Sequence, residues 1–220
     1  MIRTIKVTGK GAVKLKPDMI RINITLEAVR KSYDDILQES ARQVELLKDC
    51  FEKIGFDRND LKTLDFSVET ETECYHDKNG KRVREFVGYN FSHDLKIEFD
   101  ADNELLGKVL FALAKVSIKP EFSISYTVRD VEKAKNQLLK AAVLDSKGKA
   151  VVLTEAAGVI LGEIVTIDYS WGEINLVSKS TLDYMSLDDS CMTCGGSIAM
   201  EIEPDDINVT DTVTVVWKIR

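Results

Sequence analysis

From Met19 to Ala28 apolar and polar side chains alternate without a break: Ile20, Ile22, Ile24, Leu26 and Ala28 against Arg21, Asn23, Thr25 and Glu27. Strand residues point alternately to the two faces of a sheet, so this stretch predicts a strand with one buried and one wet face. Leu64, Phe66 and Val68 alternate with Asp65, Ser67 and Glu69 in the same way. A polar turn containing Asn79-Gly80 follows, a hairpin signal, and then Tyr89, Phe91, His93, Leu95, Ile97 and Phe99 share one face. Phe122, Ile124, Tyr126 and Val128 form another strand after Pro120. Val165, Ile167, Tyr169 and Trp171 predict a further one, and Val209, Val213, Val215, Trp217 and Ile219 the last. Near the start, Ile5 and Val7 begin a short strand that Gly9-Lys10-Gly11 is expected to break as a tight turn. Val13 and Leu15 then alternate with Lys14 and Lys16 until Pro17.

Three stretches change period from two to 3.6. Ser32 and Asp35 are a plausible capping pair for a helix carrying Tyr33, Leu37, Val44, Leu47, Phe51 and Ile54 on one side, closed by Gly55. Asn103 to Val116 is amphipathic through Leu106, Val109, Leu110 and Leu113. Val131 to Gly162 reads as one long helix closed by a glycine and followed by a strand. Asp130 stands where an N-cap belongs and Gly158 where a residue just past the helix end takes positive φ. Ala142, Ser146, Ala150, Leu153 and Ala157 lie three or four apart on one stripe. Small side chains there let the helix lie close to whatever it covers.

From Met19 to Val128 the order is strand, helix, strand, strand, helix, strand, the βαββαβ or ferredoxin-like order. Adding the long helix and two further strands gives an α+β fold: a largely antiparallel sheet with the helices packed on one face. At 220 residues one domain can bury a real core, and residues 1–220 are read as a single domain. Within it, residues 172–206 form a long acidic loop with no convincing period.

Net charge of −7 argues against a nucleic-acid or anionic-membrane surface, both of which need clustered Lys and Arg. No apolar run approaches the roughly 20 residues of a membrane span. No signal-peptide apolar region is seen at Met1-Ile2-Arg3-Thr4, so the expected location is cytoplasmic. Four cysteines in 220 residues do not make a disulfide framework.

Val7-Thr8-Gly9 and Gly11, Pro17-Asp18, Gly55 before Leu61-Lys62-Thr63, Gly88-Tyr89, and Ala157-Gly158 running on to Leu161-Gly162 occur in an order that resembles the SIMPL-domain family. The likeness spans nearly the whole chain except 172–206. It implies an α+β fold and a tendency to form large ring-like or channel-like homo-oligomers. Relatives include periplasmic immunogenic antigens and proteins tied to defence against oxidative stress. The resemblance brings no catalytic residues with it.

The sharpest local motif is Cys191-Met192-Thr193-Cys194. Structural zinc takes four ligands, so this pair is half a site, which Cys74 and His76 or a second subunit would complete. Thiol-redox chemistry would need a stabilised thiolate, but Asp188 and Asp189 precede the pair and disfavour it. Incidental loop cysteines, with no cofactor, are the expectation. His93, set among aromatic and aliphatic neighbours, is expected to be a core or interface residue. Glu69, Glu71 and Glu73 are expected to line a solvated strand face rather than hold a metal. The reading that results is a non-enzymatic homo-oligomeric scaffold with a stress-related role. Its rival is a metal-binding or thiol-redox protein acting through Cys191 and Cys194.

Overall fold

A computed structural model describes residues 3–76, 82–169, 176–179 and 203–220. In chain order the elements are β1 (Thr4–Leu15), β2 (Met19–Arg30), α1 (Tyr33–Glu52), β3 (Lys62–His76), β4 (Arg82–Asp100), α2 (Asn103–Lys115), β5 (Glu121–Thr127), α3 (Val131–Ala156), β6 (Leu161–Asp168), β7 (Val177–Lys179) and β8 (Ile207–Ile219). The fold is α+β, as the periodicities imply. The chain builds two sheets where one was expected: three strands in the order β1-β8-β6, and five in the order β3-β4-β2-β5-β7. It divides into two compact units. One centres on Met19–Ser125, and the other is made from the N-terminal segment through Asp18 with Tyr126–Ser178 and Pro204–Arg220.

In the Met19–Ser125 unit, β2 and β4 pair antiparallel from Met19 opposite Asp100 to Arg30 opposite Tyr89. Their shared face buries Ile20, Ile22, Ile24, Leu26, Phe91, Leu95 and Ile97. α1 covers it with Ile36, Leu47 and Phe51, and α2 contributes Leu106, Val109 and Leu113. α2 starts as its sequence asks, with Asp102 accepting from the Glu104 and Leu105 amides. α1 does not: Ser32 occupies the N-cap position without a side-chain cap bond. The stripe read for α1 is also rotated. Tyr33 and Leu37 stand in solvent while Ser40 and Gln43 are buried, because the helix lies over β2 and β4 and leaves β3 uncovered. The hairpin expected between β3 and β4 is present, pairing Lys62 with Lys96 through His76 with Arg82. Asn79-Gly80 itself lies outside the described residues.

In the other unit, β1 runs unbroken through Gly9-Lys10-Gly11, and every residue from Thr4 to Leu15 has a partner on β8. The expected break is absent for a tertiary reason. A Cβ on Gly9 would strike the Ala142 carbonyl and the Ser146 backbone, and one on Gly11 would strike the Leu138 carbonyl. The glycines are there so that α3 can lie against the strand backbone. The helix answers with its own small stripe: Ala134, Leu138, Ala142, Ser146, Ala150 and Thr154 are buried, one every fourth residue. Leu153 and Ala157, assigned to the stripe from sequence, are exposed. Steps of four on a 3.6-residue helix precess by about 40° each, so the buried line winds across the helix as it crosses twisted strands. Ser146 donates its hydroxyl to the Val7 carbonyl (3.4 Å) and Thr154 to its own Ala150 carbonyl (2.8 Å), so both buried hydroxyls are satisfied. Asp130 caps the start by accepting from the Lys133 amide, and Gly158 follows the end with φ of 66°.

β8 is the middle strand, flanked by β1 and β6. Pairing on both sides suits a proline-free strand. The stretch read as an aperiodic loop over 172–206 also gives up part of itself to regular structure. Leu176 is buried with Val128, Leu138 and Ile207, its carbonyl accepts from the Thr127 hydroxyl (2.9 Å), and β7 follows at once. Among the described residues, no helix is long and apolar enough to cross a membrane.

Candidate functional site: the β3–β4 arm

The hairpin is longer than the helix that covers it. At its base stands His93, half-buried, whose Nδ1 lies 3.3 Å from the Ser40 hydroxyl and Nε2 2.9 Å from the Thr63 hydroxyl. Phe66 meets its ring edge-on at 5.1 Å between centroids. Burial holds the imidazole pKa below its usual value, with the nearby Asp94 charge working the other way. A hydroxyl against an imidazole is the start of a nucleophile–base pair. Here it goes no further. Ser40 is only 4% exposed, and Asp94, the adjacent carboxylate, is taken by the Thr25 hydroxyl at 2.7 Å. His93 is the structural histidine its neighbours led us to expect.

Beside it Glu39 gathers Arg30, Arg42 and Gln43. Bonds from Arg42 first, and then Gln43, hold its carboxyl down at about 2. The cluster ties the end of β2 to α1 and leaves no unpaired charge for chemistry. Two shallow grooves of about 440 and 460 Å³ run along α3. One is lined by Asp130, Lys133 and Lys140 with amides, the other by Asp145, Lys149 and aliphatic chains, and neither combines a nucleophile with a base.

Beyond His93 the arm is bare. Every residue of β3 from Glu69 to His76 is exposed, as are Arg84 to Val87 on β4. Cross-strand partners share a face. Glu73 therefore lies beside Glu85 and Tyr75 beside Val83, with Glu71 and Glu69 continuing the same face. On the other face Cys74 is opposite Arg84, His76 opposite Arg82 and Thr72 opposite Phe86, leading down to Thr70 and Tyr89. One side of the blade is acidic and the other basic. The Tyr75 hydroxyl feels the difference: the Glu85 charge, then its hydrogen bond, raise the phenol pKa above normal. On the basic side Phe86 meets Tyr89 at 5.3 Å, and Tyr89 meets Tyr33 at 5.5 Å.

Of the four residues expected to hold a metal, Cys74 and His76 share the exposed basic face of the arm, with arginines as cross-strand neighbours. A cation is disfavoured between guanidinium groups. Cys191 and Cys194 lie outside the described residues. No group of three metal-ligating side chains occurs among the described residues. The glutamates do line a solvated strand face, but sequence reasoning missed the arginines opposite. The signal was the alternation on both sides of Asn79-Gly80, which becomes a charge pattern only once the strands are paired.

The two outer strands of the three-stranded sheet also differ in how they are covered. On β1 the Lys10 amide donates to Asp145 Oδ2 at 2.7 Å, and Lys149 pairs with that carboxylate (2.7 Å) while reaching the Thr8 carbonyl (3.4 Å). β6 has no strand on its outer side among the described residues, and Ile164, Val165 and Ile167 are 43%, 46% and 52% exposed.

Two sheets and three helices among the described residues define an α+β protein, and no catalytic group is assembled among those residues. The SIMPL family, described as proteins of unknown function (DUF541), matches residues 5–217, and the chain belongs to it. The chain is similar to the 26 kDa periplasmic immunogenic protein of Brucella melitensis biotype 1, with 26% identity over 165 residues, 74% of this chain and 65% of the relative. The protein of the same name from Brucella abortus gives the same identity and coverage. The chain thus spans just under two thirds of the length of these curated relatives.

Proposed function

We propose that the protein is a non-enzymatic homo-oligomeric scaffold, in a stress-related role as the family resemblance implies. One observation carries this reading: each sheet ends in a strand whose apolar side chains stand in water. Leu64 and Phe66 on β3 are 55% and 42% exposed, and β6 adds Ile164, Val165 and Ile167. Soluble chains normally blunt or cover such edges, as Asp145 and Lys149 do for β1. A second copy covers what the first leaves open. Light scattering across a tenfold dilution tests it. A mass at a multiple of 24.7 kDa is expected, and a constant mass of 24.7 kDa overturns the scaffold.

The rival places zinc or thiol-redox chemistry at Cys191 and Cys194, with Cys74 and His76, which share one face of β3, as the further ligands of a zinc site. Stoichiometric zinc in the purified protein would establish it, and four free thiols without metal would remove it. For location we propose the cytoplasm, because Cys50 and Cys74 are free thiols, the usual state in a reducing compartment. Fractionation of cells decides between this and the periplasm named for the relatives.

A further inference from the structure

We propose that the partner of the β3–β4 arm is the arm of a second copy, stacked so that the basic face of one meets the acidic face of the next. This rests on the scaffold reading and places a contact between copies on the two faces of the arm rather than on the β3 edge. Glu69, Glu71, Glu73 and Glu85 point one way, and Arg82, Arg84 and His76 the other. Among the described residues, neither arginine and none of Glu69, Glu71 and Glu73 takes part in an ion pair. In a single chain this arrangement works against itself. Glu73 and Glu85 sit directly opposite each other, and like charges so placed destabilise a strand pair. An arginine face laid over them reverses the sign of that contact.

Each face also carries an aromatic ring that is about half exposed in a free arm. Phe86 is 51% exposed on the basic side and Tyr75 45% on the acidic side. Stacked arms bring these rings into the middle of the contact with charges around them, the apolar centre and polar rim of a protein interface. Self-pairing through the β3 edge is the competing arrangement, and it is disfavoured. β3 carries Asp65, Glu69, Glu71 and Glu73 against Lys62 alone, so a second β3 would meet like charge.

The contact uses different surfaces on the two copies, so it is heterologous and must close into a ring or continue as a filament. It also has a directional signature that an isologous contact lacks. Arg82→Glu with Arg84→Glu makes both faces acidic, and Glu71→Arg with Glu73→Arg and Glu85→Arg makes both basic. Each variant alone is expected to fall to the monomer mass of 24.7 kDa. An equimolar mixture is expected to recover the wild-type mass, since every acidic face again meets a basic one. All substituted positions are solvent-exposed, so unchanged Tm of each variant confirms that folding is intact. If the wild type assembles and both variants keep its mass, or the mixture stays monomeric, the arm contact is wrong and the scaffold reading survives. A monomeric wild type overturns both.

Discussion

The long helix and the long hairpin are the two most regular stretches of the chain, and they use regularity in opposite ways. α3 spends its repeat on closeness: one small side chain every four residues, facing glycines, until backbone lies against backbone. The arm spends its repeat on separation: charges of one sign to each face, with no helix over it. Both are amphipathic by pattern. What distinguishes them is whether the complementary surface is in the same chain. α3 finds it in Gly9 and Gly11, whereas the arm beyond His93 finds no cover among the described residues.

The sharpest way to break the comparison is to spoil the closeness. Gly9→Val places a side chain inside the Ala142 carbonyl, and Ala150→Trp puts a ring on a fully buried stripe position. Each is expected to cost about 3 kcal/mol or more, the upper range for overpacking. At this chain length that is a fall in Tm of about 6–12 °C by calorimetry. A small loss would mean that helix and strand have room to part.

A smaller effect marks where the cover stops. Burial lowers the His93 pKa from its usual 6.5, so the folded state binds fewer protons than the unfolded one just below that value. Stability from this group is full above pH 6.5 and is lost as pH falls below it. Tm measured from pH 7.5 down to pH 5 should decline in the wild type and decline less in His93→Gln. Equal slopes would show that the base of the arm is as open as its tip.

The smallest effect is a gain. Glu85→Gln removes one of two directly opposed carboxylates, and Tm of the isolated chain should rise by about 1 °C, from a few tenths of a kcal/mol. A fall would mean that the Tyr75 contact with Glu85 outweighs the repulsion.

Much of this architecture was legible before any coordinates. Ile20 to Leu26 and Phe91 to Phe99 had to bury one face, and Asp130 and Gly158 mark the ends of α3, although the helix read on to Gly162 stops at Ala156 and Gly162 lies in β6. The errors share a cause. Gly9-Lys10-Gly11 reads locally as a turn, and only the small stripe on α3 explains it as a strand. Nothing in the sequence of β8 itself says that it has a neighbour on both sides. Tyr33 and Leu37 fit an apolar helical stripe, but Ile36, Leu47 and Phe51 fit another, and the sheet below chose between them. The arm's two-faced charge was written in the sequence, yet it appears only after Glu73 is set against Glu85 and Cys74 against Arg84.

The position of β8 between β1 and β6 also governs the order in which this protein can be completed. Thr8 and Thr214, joined by a hydroxyl contact of 3.0 Å, are 206 residues apart. The Met19–Ser125 segment is contiguous and carries β2, β3, β4 and most of β5. β1, by contrast, is made before the other strands of its sheet and must wait for β8. Throughout that interval its glycines have no covering strand beside them, and the long helix, when it appears, has no finished sheet to lie on. The element most deeply enclosed in the finished sheet is thus the last one to arrive, and the N-terminal strand spends translation as an unpaired segment in search of it.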